Sequence, residues 1–358
     1  MPRGTVAPER PRRPDAGAVR SVRRNAVLPP RDGISAARLR APGGRETHAA
    51  AHLPVPATVR QWLDEVVIPS TMGREQAFGL APLRPEYFVG EGAMVDASGR
   101  RVGLDDPVVP GGFYWFHKPI PYEDRVPFEV SVVHEDDDLL VVDKPHFLAS
   151  TPNGVFVREC VVTRLRVQRR EDDLVAIHRL DRVTAGLLVL SRRPQTRGAY
   201  QVLFQQRGIE KRYRALARLP EGWAPGSALP LGLESGEPRD VRSRLRKIDG
   251  ERPVRVVPGE PNAHTTVRLV RVFPHEAGWA GEFVLTPHTG KTHQLRVHMN
   301  ALGMPLLGDP VYPVDRGPDP YDFTQTLQLL AERIAFDDPF TGRRRAFVSG
   351  LTLDASRA

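Results

Sequence analysis

One cysteine, Cys160, leaves no partner for an internal disulfide, and the reducing cytoplasm is the compartment expected of such a chain. The lone thiol reads as a small buried hydrophobe. The chain lacks any run of eighteen apolar residues and any hydrophobic signal core near its start, so neither a membrane span nor a secretory leader is expected. No Gly-rich phosphate loop of the Walker or Rossmann type appears, which removes the usual anchor for nucleotide energy or dinucleotide redox chemistry. The first fifty residues have no aromatic side chain, yet they hold seven prolines and 11 arginines against 4 acids. Seven of the eight net positive charges therefore sit there, and the body is nearly neutral. Residues 1–52 read as a disordered basic arm, because such a segment cannot bury enough apolar surface to fold. Three roles stay open for the arm: sequence-independent phosphate affinity, an inert or mis-started extension, or a transit peptide, against which its low serine and many prolines argue.

What is present suffices for a sizeable core: 358 residues with 40% hydrophobic content can hold one large domain and a smaller companion. Residues 53–126 read as a small accessory unit. Val59, Trp62, Leu63 and Val66 recur at helical spacing, and residues 94–102 suggest a hairpin around Ser98-Gly99. The run Phe113-Tyr114-Trp115-Phe116 reads as core packing, with base stacking as the alternative. Residues 127–353 form the larger unit. A helix is expected over residues 194–207 with Ala199, Val202 and Leu203 inward and Gly208 ending it. Strands are expected over 210–217, 265–273, 281–287 and 347–353, a basic hairpin over 240–257, and a helix within 292–302. Many strands with few helices indicate an α+β fold on a mixed, mostly antiparallel sheet.

The most informative stretch is Ile177-His178-Arg179-Leu180-Asp181-Arg182-Val183-Thr184-Ala185-Gly186, followed by the apolar run Leu187 to Leu190. The apolar run reads as a buried strand, and the preceding residues as the loop that feeds it. Cations on both sides of Asp181 favour the charged carboxylate that a nucleophile or general base requires. An arbitrary Asp-Arg cluster is more often a structural ion pair. The order of the residues tips the balance.

This run resembles the central motif of the RluA-type pseudouridine synthases, His-Arg-Leu-Asp-x-x-Thr-Ser-Gly before a leucine-rich strand, with Ala185 in place of the usual Ser. Glu210-Lys211-Arg212-Tyr213-Arg214 resembles the family's tyrosine motif. Thr289-Gly290-Lys291-Thr292-His293-Gln294-Leu295-Arg296-Val297-His298 resembles its third, with Lys291 replacing an arginine and so losing a bidentate fork. Residues 130–145, closed by Asp143-Lys144-Pro145, and Gly308-Asp309-Pro310-Val311-Tyr312 extend the likeness. The resemblance implies a pseudouridine synthase fold with a central active-site cleft and RNA as partner, either rRNA or tRNA with rRNA slightly ahead. It implies that Asp181 is the catalytic aspartate, that Tyr213 lies against the target uracil, and that Arg296 pairs with Asp181. Arg179, Arg182, Lys291 and His293 are expected to contact RNA, Arg179 by filling the gap left by a flipped base. Whether the aspartate attacks the sugar, attacks the ring or abstracts a proton stays open. Isomerisation needs no cofactor, and none is expected.

His288, His293 and His298 recur every five residues, but such steps alternate faces in a strand and no cysteine completes a set, so no metal site is expected. A monomer is the expected state. A catalytically silent RNA-binding protein of the same fold would be expected to lose Asp181 or Tyr213, and a hydrolase would need a second acid or base where the motifs supply arginines.

Overall fold

The structure, a computed structural model, describes residues 27–43, 55–71 and 80–357 apart from 154, 207, 277 and 318. Residues 1–26 and 44–52 of the expected arm, the start of the accessory unit at residue 53, and Arg207 lie outside the described residues. The chain divides into two compact units, with Ala36–Val67 and Arg84–His117 in the smaller and Pro30–Ser35 and Lys118–Ala358 in the larger.

The smaller unit holds a three-stranded antiparallel sheet of β1 (Ala37–Arg40), β2 (Val95–Asp96) and β3 (Phe113–Phe116), in the order β1-β3-β2. Helix α1 (Val59–Trp62), capped by the Thr58 hydroxyl, runs into a π-turn over Leu63–Val67, and α2 (Pro85–Val89) follows. The expected hairpin closes as the Asp96 carboxylate accepts from the Ser98 and Arg100 backbone N–H groups, with Gly99 at positive φ. Strand β1 lies inside the segment whose composition suggested disorder. Its four residues gain order from pairing with the distant β3, a signal local composition does not carry.

The larger unit is built on an 11-stranded sheet: β4 (Ser131–Glu135), β5 (Leu139–Lys144), β6 (Val175–Ala176), β7 (Ala185–Ser191), β8 (Ile209–Arg218), β9 (Arg239–Lys247), β10 (Val254–Val257), β11 (Ala263–His275), β12 (Gly278–Pro287), β13 (Leu329–Asp337) and β14 (Arg344–Val348). The main path runs β10-β9-β11-β12-β8-β13-β7-β5-β4. All pairings are antiparallel except β13 with β7, which confirms the α+β reading. Strand β13, which no sequence pattern had singled out, inserts between β7 and β8. Every residue of β7 is buried, as expected of a strand covered on both faces. Helices α3 (Val161–Arg169), α4 (Pro194–Gln205) and α5 (Gln294–Ala301) accompany the sheet. In α4 the inward residue is Tyr200, with Leu203 and Phe204 beside it, whereas Val202 is exposed. Gly208 does not take a left-handed cap; Gln206 ends the helix at φ −80°.

Cys160 is buried and caps α3, accepting from the Thr163 N–H. Residues 30–35, also from the presumed arm, fold in this unit. A turn between Arg31 and Ile34 is fixed by Arg166, whose Nη1 donates to the Gly33 carbonyl and the Ser35 hydroxyl, each at 3.0 Å. The segment after Lys118 is tied down by Glu123, whose carboxylate accepts the N–H groups of Val157, Arg158 and Glu159.

Candidate active site

The loop ahead of β7 is fastened at nearly every residue. The His178 ring stacks on Phe204 at 4.8 Å, and its Nε2 accepts the Val189 N–H. The Ser150 hydroxyl accepts from the Leu180 N–H (3.0 Å) and donates to the Leu180 carbonyl (2.8 Å). Lys144, completely buried, donates from Nζ to the carbonyls of Pro145, Leu148 and Arg182 at 2.8, 2.9 and 3.1 Å. Burial pulls its pKa down to about 7, against the opposing charge of Asp181. The Thr184 N–H closes the turn onto the Asp181 carbonyl. Gly186 then sits at φ +112°, where a Cβ would stand 2.4 Å from the Ala331 carbonyl oxygen of β13, so only glycine permits this approach. These bonds fix the loop backbone while the Asp181 and Arg179 side chains line the cleft.

The opposite wall comes from α5. His293 precedes it in a left-handed conformation (φ 54°), and Gln294 staples the turn by accepting from the Thr289 hydroxyl and the Lys291 N–H while donating to the His264 carbonyl and the Thr265 hydroxyl. The Arg296 guanidinium is buried between two carboxylates. Its Nε and Nη2 make a bidentate pair with Asp309 at 2.8 and 2.7 Å, and Nη1 reaches Asp181 Oδ2 at 3.3 Å. Burial alone would lower its pKa, but the bonds and charge of Asp309, with Asp181 behind, raise it instead. Tyr312 lies beneath the guanidinium at 5.4 Å. The pairing expected of Arg296 with Asp181 is present, but its stronger partner is Asp309.

His293 Nε2 stands 3.9 Å from Asp181 Oδ2. Burial and the neighbouring Arg296 push its pKa down to about 4, outweighing the pull of Asp181, so the ring is neutral near pH 7. Tyr213, on β8, is half-buried against the core, and burial together with the Asp181 charge raises its phenol pKa. A cleft of about 920 Å³ is lined by Arg179, Asp181, Tyr213, Lys291, His293 and Arg296.

Arg182 does not join them. Its Nη1 donates to the carbonyls of Phe147 and Pro320, and its guanidinium packs over Phe156 at 5.2 Å. The side chain next to Asp181 thus points away from the cleft and ties the loop to its surroundings. The three evenly spaced histidines do not converge. His288 stacks on His264 at 4.2 Å, His293 faces Asp181, and His298 is buried between Ser243 and Thr265. Asp240, His264 and His288 do place ligand atoms within 4.8 Å of one another, with His264 Nε2 3.1 Å from Asp240 Oδ1 and His288 Nε2 2.8 Å from the Thr266 hydroxyl.

Sequence reasoning gave no role to Asp309, Tyr312, Lys144 or Ser150. Asp309 had a legible signal in the fifth motif: an acid set among Leu306, Leu307, Val311 and Tyr312, all buried, must find a cation. A carboxylate partly open to a cleft, held at one oxygen by a buried guanidinium, with an aromatic ring lining the same cleft, suits covalent or proton-transfer chemistry on a flat, ring-bearing substrate.

The family model for RNA pseudouridylate synthase matches residues 138–301. A dual-specificity RNA pseudouridine synthase RluA of Vibrio parahaemolyticus is 32% identical over 212 residues, covering 58% of this chain and 78% of that protein. A tRNA pseudouridine(31) synthase of Saccharomyces cerevisiae is 32% identical over 194 residues, 51% of this chain and 46% of that protein. The solved structure of human RNA Pseudouridylate Synthase Domain Containing 1 shares 22% identity over 65% of this chain and 86% of its own, with a TM-score of 0.48. No helix among the described residues is long and apolar enough to cross a membrane.

Proposed function

Since this chain belongs to the RluA-type family and is an RNA pseudouridine synthase, we propose that Asp181 is the catalytic group that isomerises particular uridines of structured RNA, with Tyr213 and Arg296 as its partners. The observation that carries this reading is the placement of Asp181 Oδ2 against a guanidinium already fixed by Asp309, at a cleft that Tyr213 also lines. The reaction breaks the bond between N1 of uracil and the anomeric carbon, turns the base, and forms a bond from C5 to that carbon; the C5 proton leaves and N1 gains one. Atoms and electrons balance with no cofactor.

Arg296 is a positioning residue here. Pinned by two bonds to Asp309, it holds the Asp181 carboxylate through its remaining Nη1. Tyr213 offers a ring face to the base. Its raised phenol pKa runs opposite to what a general base at neutral pH requires, so the protonated phenol is the form that meets substrate. Arg179, exposed at the cleft, fills the space of the flipped base, while Lys291 and His293 contact RNA from the α5 side. Ribosomal RNA is the class we place first. The named relatives, one acting on tRNA and one of dual specificity, keep transfer RNA in the assay.

The test is tritium release from RNA labelled at C5 of uridine, with rRNA and tRNA transcripts and wild type beside Asp181→Ala. Release by wild type alone is expected, and the responsive transcript names the substrate class. Release by Asp181→Ala at the wild-type rate would remove Asp181 from the mechanism.

A further inference from the structure

Strand β3 is aromatic at all four positions, and its two faces meet different fates. Tyr114 and Phe116 are buried at 2% and 3% exposure, with their rings 5.0 Å from Trp62 and 4.7 Å from Phe88. That face is the core of the smaller unit. Phe113, at 36% exposure, and the half-buried Trp115 point the other way, their rings 6.2 Å apart. Across the ladder from them stand two exposed arginines: Arg40 opposite Phe113 and Arg38 opposite Trp115. Both guanidinium carbons lie over the Phe113 ring, at 4.7 Å for Arg38 and 5.7 Å for Arg40. The result is one sheet face on which ring planes and guanidinium planes adjoin.

We propose that this face is a second RNA-contacting surface, a platform on which unpaired bases of the substrate stack while their phosphates meet Arg38 and Arg40. The inference rests on RNA being the substrate of the larger unit. Its own support is chemical. Single-stranded RNA presents a π-face and a phosphate at every step and is matched by aromatic and arginine side chains in alternation. Arginine planes stack on bases as aromatic rings do, so the Arg38 guanidinium over Phe113 extends the platform. Base discrimination is not expected, since every base has a π-face. The platform supplies affinity and leaves the choice of uridine to the cleft.

The experiment uses the full chain and a short, unstructured, fluorescein-labelled oligouridine, read by anisotropy across a salt series. Phe113→Leu removes the ring but keeps apolar packing, and Arg38→Gln removes one charge from an exposed site. Each is expected to weaken binding about five-fold. Arg38→Gln is also expected to reduce the slope of log affinity against log salt by about 0.7, a readout that a structural role would not move. On a long RNA substrate both variants raise KM with kcat unchanged. Wild-type affinity and salt slope in Arg38→Gln would overturn the proposal, and because that side chain is exposed, loss of folding does not obscure the result. If no RNA is isomerised at all, the assigned function fails on its own, while the anisotropy series still decides whether the platform binds RNA.

Discussion

Two loops converge on the guanidinium of Arg296, and they hold their carboxylates in opposite ways. Asp309, with no exposed side-chain surface, accepts two bonds from Arg296 and two more from the backbone N–H groups of Val311 and Tyr312. Asp181, with 26% of its side chain exposed, has one longer bond to the same guanidinium and a distant imidazole. Asp309 is thus committed to structure by four accepted bonds and by complete burial of its side chain. Asp181 keeps an oxygen toward the cleft while its backbone is fixed by Ser150, Lys144 and the turn to Thr184. A rigid loop with an underused carboxylate is the arrangement a reactive group needs.

The sharpest way to break this comparison is to neutralise each acid in turn. Asp181→Asn is expected to lower turnover by at least about 10²–10⁴-fold with the urea midpoint unchanged. Asp309→Asn leaves Arg296 buried with a neutral partner and is expected to lower stability by about 3–5 kcal/mol, seen as a reduced urea midpoint at constant slope. Equal stability losses in the two variants would abolish the distinction. Smaller in effect is the pH response of the helix that carries Arg296. Burial lowers His298 to about 4, and burial with Arg296 lowers His293 to about 4, from the ordinary 6.5. The unfolded chain therefore takes up protons that the folded chain refuses. Stability is complete above pH 6.5 and drains as pH falls toward about 4, and His298→Gln should flatten that decline in a series of urea melts. Smallest is the exposed rim. Lys291→Ala is expected to raise KM modestly and to reduce its dependence on salt by about one phosphate contact, with stability unaltered.

The sequence singles out Asp181 by its motif and gives Asp309 no role, although the apolar neighbours of Asp309 carry a signal. Asp181, Tyr213 and Arg296 sit in ordered motifs whose residues are near one another in the chain, and the hairpin over residues 240–257 and the helix within 292–302 follow local periodicity. Arg182 does not line the cleft, because adjacency to Asp181 says nothing about direction; in an irregular loop two neighbours can face opposite ways, and the carbonyls of Phe147 and Pro320 that accept from it come from remote segments. Val202 was placed inward by its type, yet Tyr200 takes that position and its hydroxyl donates to Asp338. Strand β1 and the turn at Gly33 were hidden for a related reason. A proline-rich, arginine-rich composition describes the chain's average tendency, and a few residues can still be ordered by partners far along the sequence, here β3 and Arg166.

Strand β13 carries a consequence for how the enzyme is made. It lies between β7, which follows the Asp181 loop, and β8, which bears Tyr213, although it is encoded long after both. A nascent chain emerging from the ribosome would carry Asp181 and Tyr213 well before it carried the strand that lies between β7 and β8. Until β13 arrives, β7 and β8 each offer an open edge to any passing strand. Closure over so long a sequence separation is slow, and the backbone of Ala331 must then slide against Gly186 with no room for a side chain. The cleft walls on β7 and β8 can take their final spacing only once the late strand is in place, and exposed edges before then are the kind of surface that chaperones protect.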